Sequence, residues 1–482
     1  MKITRVQNII GIAFACGLTV TSTNLFAQST AHVRVPVGPP VSVRNQSYSL
    51  PQGPVPLVLP KGPKNGGVHL GQSYEGIDFL GSSCGCLPPD TNAAVGNNFV
   101  VETVNVQIRI FDKATGAVLL DEPLSTFFGA PTAGDPYVVY DDADADRWYV
   151  VAFDNGFFIG ATSGLFLSVS SDGNPLDGFK TYDLTNLGGF PDYPKLGFNK
   201  DAIFISYNDF GPNGTAAATI ASIDKAAILS GTLKYFVSLP KFQFRAMPPA
   251  QMHGDKKGGV EWFVSTDGTD AGGSTIRVTK MTNYLTSTPN FRYTSLPVTP
   301  YRYALTADQP GGPGSVTTFP NTTTTQVEYH KGRLVTAMAS STASDGFVYP
   351  KGLYYQIDVN GNGVVKPRLI KQGVIDPGPG VAVQMPSVDE DKQGNLGFTW
   401  MESSSTEYLS MWTGNLYTNG NFSAQDVAPG GGFFYYSFRI GDYSTIVLDP
   451  FDGRTFWAAN EYIGSDGLND IWLTHLTSFR GR

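Results

Sequence analysis

The sequence predicts an all-β chain closed into a single seven-bladed β-propeller, with an N-terminal strand completing the last blade. Three observations carry that prediction. Short runs rich in aromatic and β-branched residues, such as 99–104, 147–153, 202–207, 260–265 and 455–460, alternate with turn clusters up to the C-terminus. Fifty-five glycines and 33 prolines interrupt the 482 residues too often for long helices, and 223–230 is the one helix-like stretch. A short strand opening on a polar residue also recurs, at Asp90, Asp135, Asp192, Gln251, Gln326, Gln384 and Asp442. The steps between these residues are 45, 57, 59, 75, 58 and 58, a period that marks a repeat architecture.

Each element of the repeat has a physical reason. The opening strand is followed by an acidic or glycine turn and then an apolar strand: 141–144 before Arg147 and Trp148, 389–391 before 396–400, 449–453 before Phe456 and Trp457. Inner strand, tight turn and second strand at this period are what a propeller blade requires. The long step holds the proline- and glycine-rich segments 297–303 and 310–314, which look like an inserted loop. The last unit offers three strands, 444–448, 456–462 and 471–479, so 72–80 is expected to supply the fourth and remove an open edge.

Three regions follow from composition. Residues 1–27 form a signal peptide: Lys2 and Arg5 precede an apolar stretch, 9–20, too short to span a bilayer, and 25–27 is a cleavage site. Cleavage after Ala27 gives a secreted or periplasmic protein, and lipoprotein processing at Cys16 is the rival. Residues 28–66 are a Pro/Gly-rich extended leader, a tether or a strap. Residues 67–482 are the propeller domain, expected as a monomer without a transmembrane segment. The formal charge of -8 and the lack of a dense Lys/Arg stretch give nucleic acid binding no support.

Several strings occur in a fixed order: PPDTNAAVG at 88–96, FDKATG at 111–116, GDP at 134–136 with DRW at 146–148, PDYPKLG at 191–197, and GDY at 441–443 followed by Asp449, Pro450, Phe456 and Trp457. Together they resemble a family of bacterial secreted proteins of largely unassigned function, with a sialidase-like or similar propeller, over residues 70–479. The resemblance implies the fold and brings no catalytic residue with it.

The chemistry-bearing residues are few. The nearest approach to a sialidase Asp-box turn is SSDGN at 170–174, with glycine one place early and no tryptophan after it. Asp358, Asn360 and Asn362 resemble the start of a calcium loop, but Lys366 and Pro367 stand where its closing acid belongs, and Asn-Gly there marks a hairpin. Asp141, Asp142 and Asp144 are weak candidates for a metal, calcium, against simple turn capping; no other cofactor is expected. The five histidines are scattered without ligand spacing. Cys84 and Cys86 form either a local disulfide or two free thiols.

The register-equivalent polar residues remain. In a propeller the inner strands all start on one face, so Asp90, Asp135, Asp192 and Asp442 would rim that mouth, with Gln251, Gln326 and Gln384 completing it. Lys195, Arg439, Tyr193 and Tyr443 lie close by in sequence. Such a rim can bind a polar ligand, a glycan or a protein partner; alternatively its carboxylates serve a sialidase-like glycoside hydrolase or lyase, or simply brace the backbone of a structural envelope component. The catalytic residues, if the chain is an enzyme, are not legible, and the balance leans against an enzyme.

Overall fold

The computed structural model describes residues 57–59, 68–142, 145–154, 164–184, 187, 189–210, 216–240, 247–266, 272–304, 307–314, 316, 324–343, 346–359, 366–434 and 439–481. Two five-residue helices, Leu124–Phe128 and Lys225–Leu229, interrupt an otherwise all-β chain. The second falls in the helix-like stretch and is capped by Asp224, whose side chain accepts from the Ala227 amide. No helix among the described residues is long and apolar enough to cross a membrane.

The strands build a β-propeller, but its hydrogen-bonded sheets give five blades rather than the seven expected. Four blades have four strands each. They run Asn92–Val95 to Val118–Pro123, Ala133–Asp141 to Phe179–Leu184, and Ala382–Glu390 to Phe422–Ala428; the last joins Thr445–Leu448, Phe456–Ser465 and Asp470–Gly481 to Val68–Asp78. The fifth has three strands, Glu261–Thr266, Gly273–Thr282 and Asn290–Tyr301. The remaining strands form one ten-stranded sheet instead of further separate blades. The correction has a local cause. Phe190–Phe198, Ala250–Met252 and Thr324–His330 lie parallel and pair side by side, with Phe198 opposite Gln251 and Gln251 opposite Glu328. Gly197 allows that approach, because a Cβ there would stand 2.7 Å from the Ala250 carbonyl oxygen. A period in sequence counts polar strand starts; it does not register that neighbouring inner strands can join.

The expected N-terminal strand is present: Val68–Asp78 pairs antiparallel with Asp470–Gly481 and covers the edge of the last blade. The ring closes where Asn92 Nδ2 donates to Thr445 Oγ1 at 2.7 Å, while Asn92 Oδ1 accepts from the Val138 amide at 2.6 Å, so one side chain ties three blades. In the leader, Leu57–Leu59 adds as a parallel strand beside Arg368–Ile375; the signal peptide call, 1–27, lies outside the described residues. Lys351–Asp358 and Arg368–Ile375 are antiparallel neighbours, and Asn360 and Asn362 between them lie outside the described residues.

Packing is aromatic. Trp148, Trp400, Trp412 and Trp472 are fully buried, and Tyr137, Tyr149, Phe198 and Tyr207 belong to one continuous core cluster. Turns are fixed by their acids, as the spacing suggested. Asp449 accepts from the Phe451 amide at 2.9 Å and from Trp457 Nε1 at 3.1 Å. The stretch 170–174 is a structural turn: Trp148 Nε1 donates to the Gly173 carbonyl at 3.0 Å.

Candidate functional site

Strand starts in this chain are bent. In Ala133–Asp141 the pairing register shifts between Gly134 and Tyr137, and Asp135 inside the shift has φ 44°. In Phe190–Phe198 the shift lies between Asp192 and Lys195, with Tyr193 at φ 56°. In Ala382–Glu390 it lies between Gln384 and Ser387, with Met385 at φ 43°. Asp90 and Asp442, ahead of their strands, have φ 60° and 75°. A positive φ is uncommon outside glycine and is best tolerated by Asp and Asn, and a bulge re-aims the residue it contains. The equivalent positions are therefore Asp90, Asp135, Tyr193, Met385 and Asp442. Matching by residue type placed Asp192 and Gln384 one residue early.

The four aspartates nevertheless share one electrostatic environment. Burial, then the Asp135 and Asp442 charges, hold Asp90 well above the usual carboxylate range. Burial, then Asp192 and Asp442, do the same to Asp135. Burial and Asp442 push Asp192 up to about 6, and burial raises Asp442 against the pull of Arg439. Arg439 pairs with Asp442, and the four carboxyls outweigh burial to keep the guanidinium charged. Asp90 is 1% exposed, and neither of its carboxyl oxygens accepts a hydrogen bond from a protein N–H or hydroxyl group.

Beside them sits a caged lysine. Lys195 Nζ lies 3.7 Å from the ring centre of Tyr443, 4.2 Å from Tyr193 and 5.0 Å from Tyr137. Burial pulls the ammonium well below its ordinary pKa, although Asp442, Asp90 and Asp135 act the other way. The Tyr193 hydroxyl donates to the Asp442 carbonyl at 2.8 Å, linking cage to carboxyls. Lys195, Arg439, Tyr193 and Tyr443 are thus brought to the aspartates, and Tyr137, two residues after Asp135, is an added member.

The glutamines behave differently. Gln326 is buried in the channel wall: its Nε2 donates to the Ile446 carbonyl at 2.6 Å, and its Oε1 accepts from the Ile446 amide at 3.4 Å. Gln251 and Gln384 are also buried, at 3% and 1% exposure.

A second polar constellation stands at the other ends of the inner strands. The rings of His253 and His330 stack, 5.4 Å between centres and 9° between planes. His253 Nδ1 is 2.7 Å from Asp142 Oδ1 and its Nε2 is 3.2 Å from Glu328 Oε2; His330 Nε2 is 2.7 Å from Asp389 Oδ1. Scattered in sequence, these two histidines meet in space. Glu328 and His330, two apart on one strand and so on one face, were the available signal. Asp141 pairs with buried Lys225 at 2.5 Å, Asp142 turns to His253, and Asp144 lies outside the described residues. Cys84 and Cys86 are joined as a disulfide. An open depression of about 410 Å³ on outer strands, lined by Lys280, Thr282, Asn290, Phe291 and Arg292, touches neither constellation.

No family model and no curated protein matches this chain. Among solved structures it is similar to a protein of unknown function from Dyadobacter fermentans, at 10% identity and TM-score 0.39, covering 73% of this chain and 95% of that one. It is likewise similar to Drosophila Semaphorin 1b, extracellular domains 1-2, at 9% identity and TM-score 0.40, covering 86% and 87%. An α-L-arabinofuranosidase from Clostridium thermocellum shows 14% identity and TM-score 0.32, covering 63% and 98%.

Proposed function

We propose that this protein is an exported β-propeller that binds a hydroxyl-rich ligand, a glycan, at the mouth formed by Asp90, Asp135, Asp192 and Asp442. The observation that carries the reading is the gathering of four raised carboxyls beside Arg439, in which Asp90 bonds only to the Asp135 carboxyl and accepts from no N–H or hydroxyl group. Such a cluster has acceptor capacity that a ligand's hydroxyls would use. Tyr193, only partly buried, gives such a ligand aromatic surface, and Arg439 keeps the acids from repelling one another apart.

A second reading rests on how the carboxyls hold their protons. Asp192 is pushed up to about 6, and Asp90 and Asp135 are held well above the usual carboxylate range. Carboxyls raised in this way can act as general acids in glycoside hydrolysis. A glycan array run beside a panel of glycosidase substrates separates the two. Binding without turnover, weakened at least tenfold in the Asp135→Asn/Asp192→Asn variant with its melting temperature retained, supports the binding site. Turnover lost in that variant supports the hydrolase. Glycan binding that the double substitution leaves untouched rejects this mouth.

A further inference from the structure

We infer that the far ends of the inner strands form a binding site for a divalent transition-metal ion, zinc in class, held by Glu328, His330 and Asp389, with His253 beside Glu328. Each of the first three offers a ligand atom within 4.8 Å of the others, which is the reach of one ion. They come from different places in the ring, Glu328 and His330 from Thr324–His330 and Asp389 from Ala382–Glu390, so no local turn explains the meeting.

The donor set points to this class of ion. Imidazole with carboxylate suits zinc and its first-row neighbours, whereas calcium takes oxygen ligands alone. Glu328 is fully buried, and its Oε2 lies 3.2 Å from His253 Nε2, an ion pair that an ion at Glu328 would have to rearrange.

The supporting contacts are those that orient metal ligands. Asp389 Oδ2 accepts from the Leu448 amide at 2.5 Å and Oδ1 from the Glu390 amide at 2.6 Å. Gln326 Nε2 donates to Glu328 Oε1 at 3.2 Å, and Asp142 fixes His253 through Nδ1. The side chains of His330 and His253 are 14% and 12% exposed, which leaves a path from solvent. On binding, the ion takes Nε2 of His330 in place of its contact with Asp389, and the neutral ring carries its one N–H on Nδ1.

The test uses the full chain, stripped with a chelator and dialysed against zinc. The expected result is one zinc per chain, retained when Asp90→Asn and Asp135→Asn are made together. His330→Gln or Asp389→Asn should weaken binding at least tenfold, and Asp142→Asn, which removes only the partner that fixes His253, by a smaller factor. Zinc uptake by the wild-type chain no greater than by His330→Gln overturns the inference, as does uptake that vanishes only with the Asp90/Asp135 pair. If the ligand variants fold poorly, the wild-type chain still decides. One equivalent of Co²⁺ must broaden the ring NMR signals of His253 and His330 while His69 and His475 stay sharp; uniform or absent broadening rejects the site.

Discussion

The two ends of the inner strands solve the same problem, excess buried acid, in different ways. At the strand starts, residues at positive φ and register shifts gather four aspartates, and these are balanced by one paired arginine, one caged lysine and retained protons. At the strand ends the acids are balanced by partners from elsewhere in the fold: Lys225 of the second helix for Asp141, His253 for Asp142, His330 for Asp389. The first end is built by one device repeated around the ring. The second is built by residues that occur once each, so the two differ in what removing a partner does.

The largest effect should come from removing the strand that buttresses the first end. Ile77 packs in the same core cluster as Met385 and Ile440, its amide donates to Glu102 Oε2 at 2.9 Å, and Phe79 meets Trp472 edge-on at 5.8 Å. Burial of each large apolar side chain contributes about 1.5–3 kcal/mol, so deleting 70–82 should cost about 5 kcal/mol or more. Urea denaturation should show this as a lower midpoint for the whole ring. An unchanged midpoint would mean that the added strand decorates the last blade without closing it.

Next in size is the contrast between two basic residues. Lys225 and Asp141 are 2% and 0% exposed, and their pair is closed on all sides. Lys225→Met strands a buried carboxylate and should cost about 3–5 kcal/mol. Arg439→Met at the other end removes the partner of Asp442, yet the Asp442 carboxyl is already raised and can take up a proton instead. That loss should be smaller, about 1–2 kcal/mol at pH 7. Equal losses in denaturation would show that the two ends handle charge alike, against the comparison drawn above.

The same contrast explains what was legible in the sequence. A device used repeatedly leaves a period, and Asp90, Asp135 and Asp442 could be found by spacing alone. Tyr193 and Met385 occupy the same backbone position, but a bulge shifts the residue identity by one, and spacing cannot detect a φ angle. Joining of the inner strands depends on Gly197 meeting Ala250, a contact between units that no period encodes. His253 and His330 are 77 residues apart and come from neighbouring inner strands, so only the parallel pairing of Ala250–Met252 with Thr324–His330 brings them together.

The smallest predicted effect is the most specific to the aspartate end. Asp90, Asp135, Asp192 and Asp442 all have folded-state proton affinities raised above those of an unfolded aspartate, Asp192 to about 6. Between the unfolded value near 4 and these raised values, the folded chain binds more protons than the unfolded one. Stability then falls as pH rises through that window, the reverse of the usual acid-denaturation slope. Asp192→Asn removes one such group and should raise stability at pH 7 by about 1 kcal/mol, while leaving it nearly unchanged at pH 4. The measurement is the melting temperature of wild type and variant from pH 4 to pH 8. Convergence at low pH and divergence at high pH is the expected pattern. A variant less stable than wild type at pH 7 would show that the Asp192 carboxylate braces the backbone, and the acid arc would then be structural.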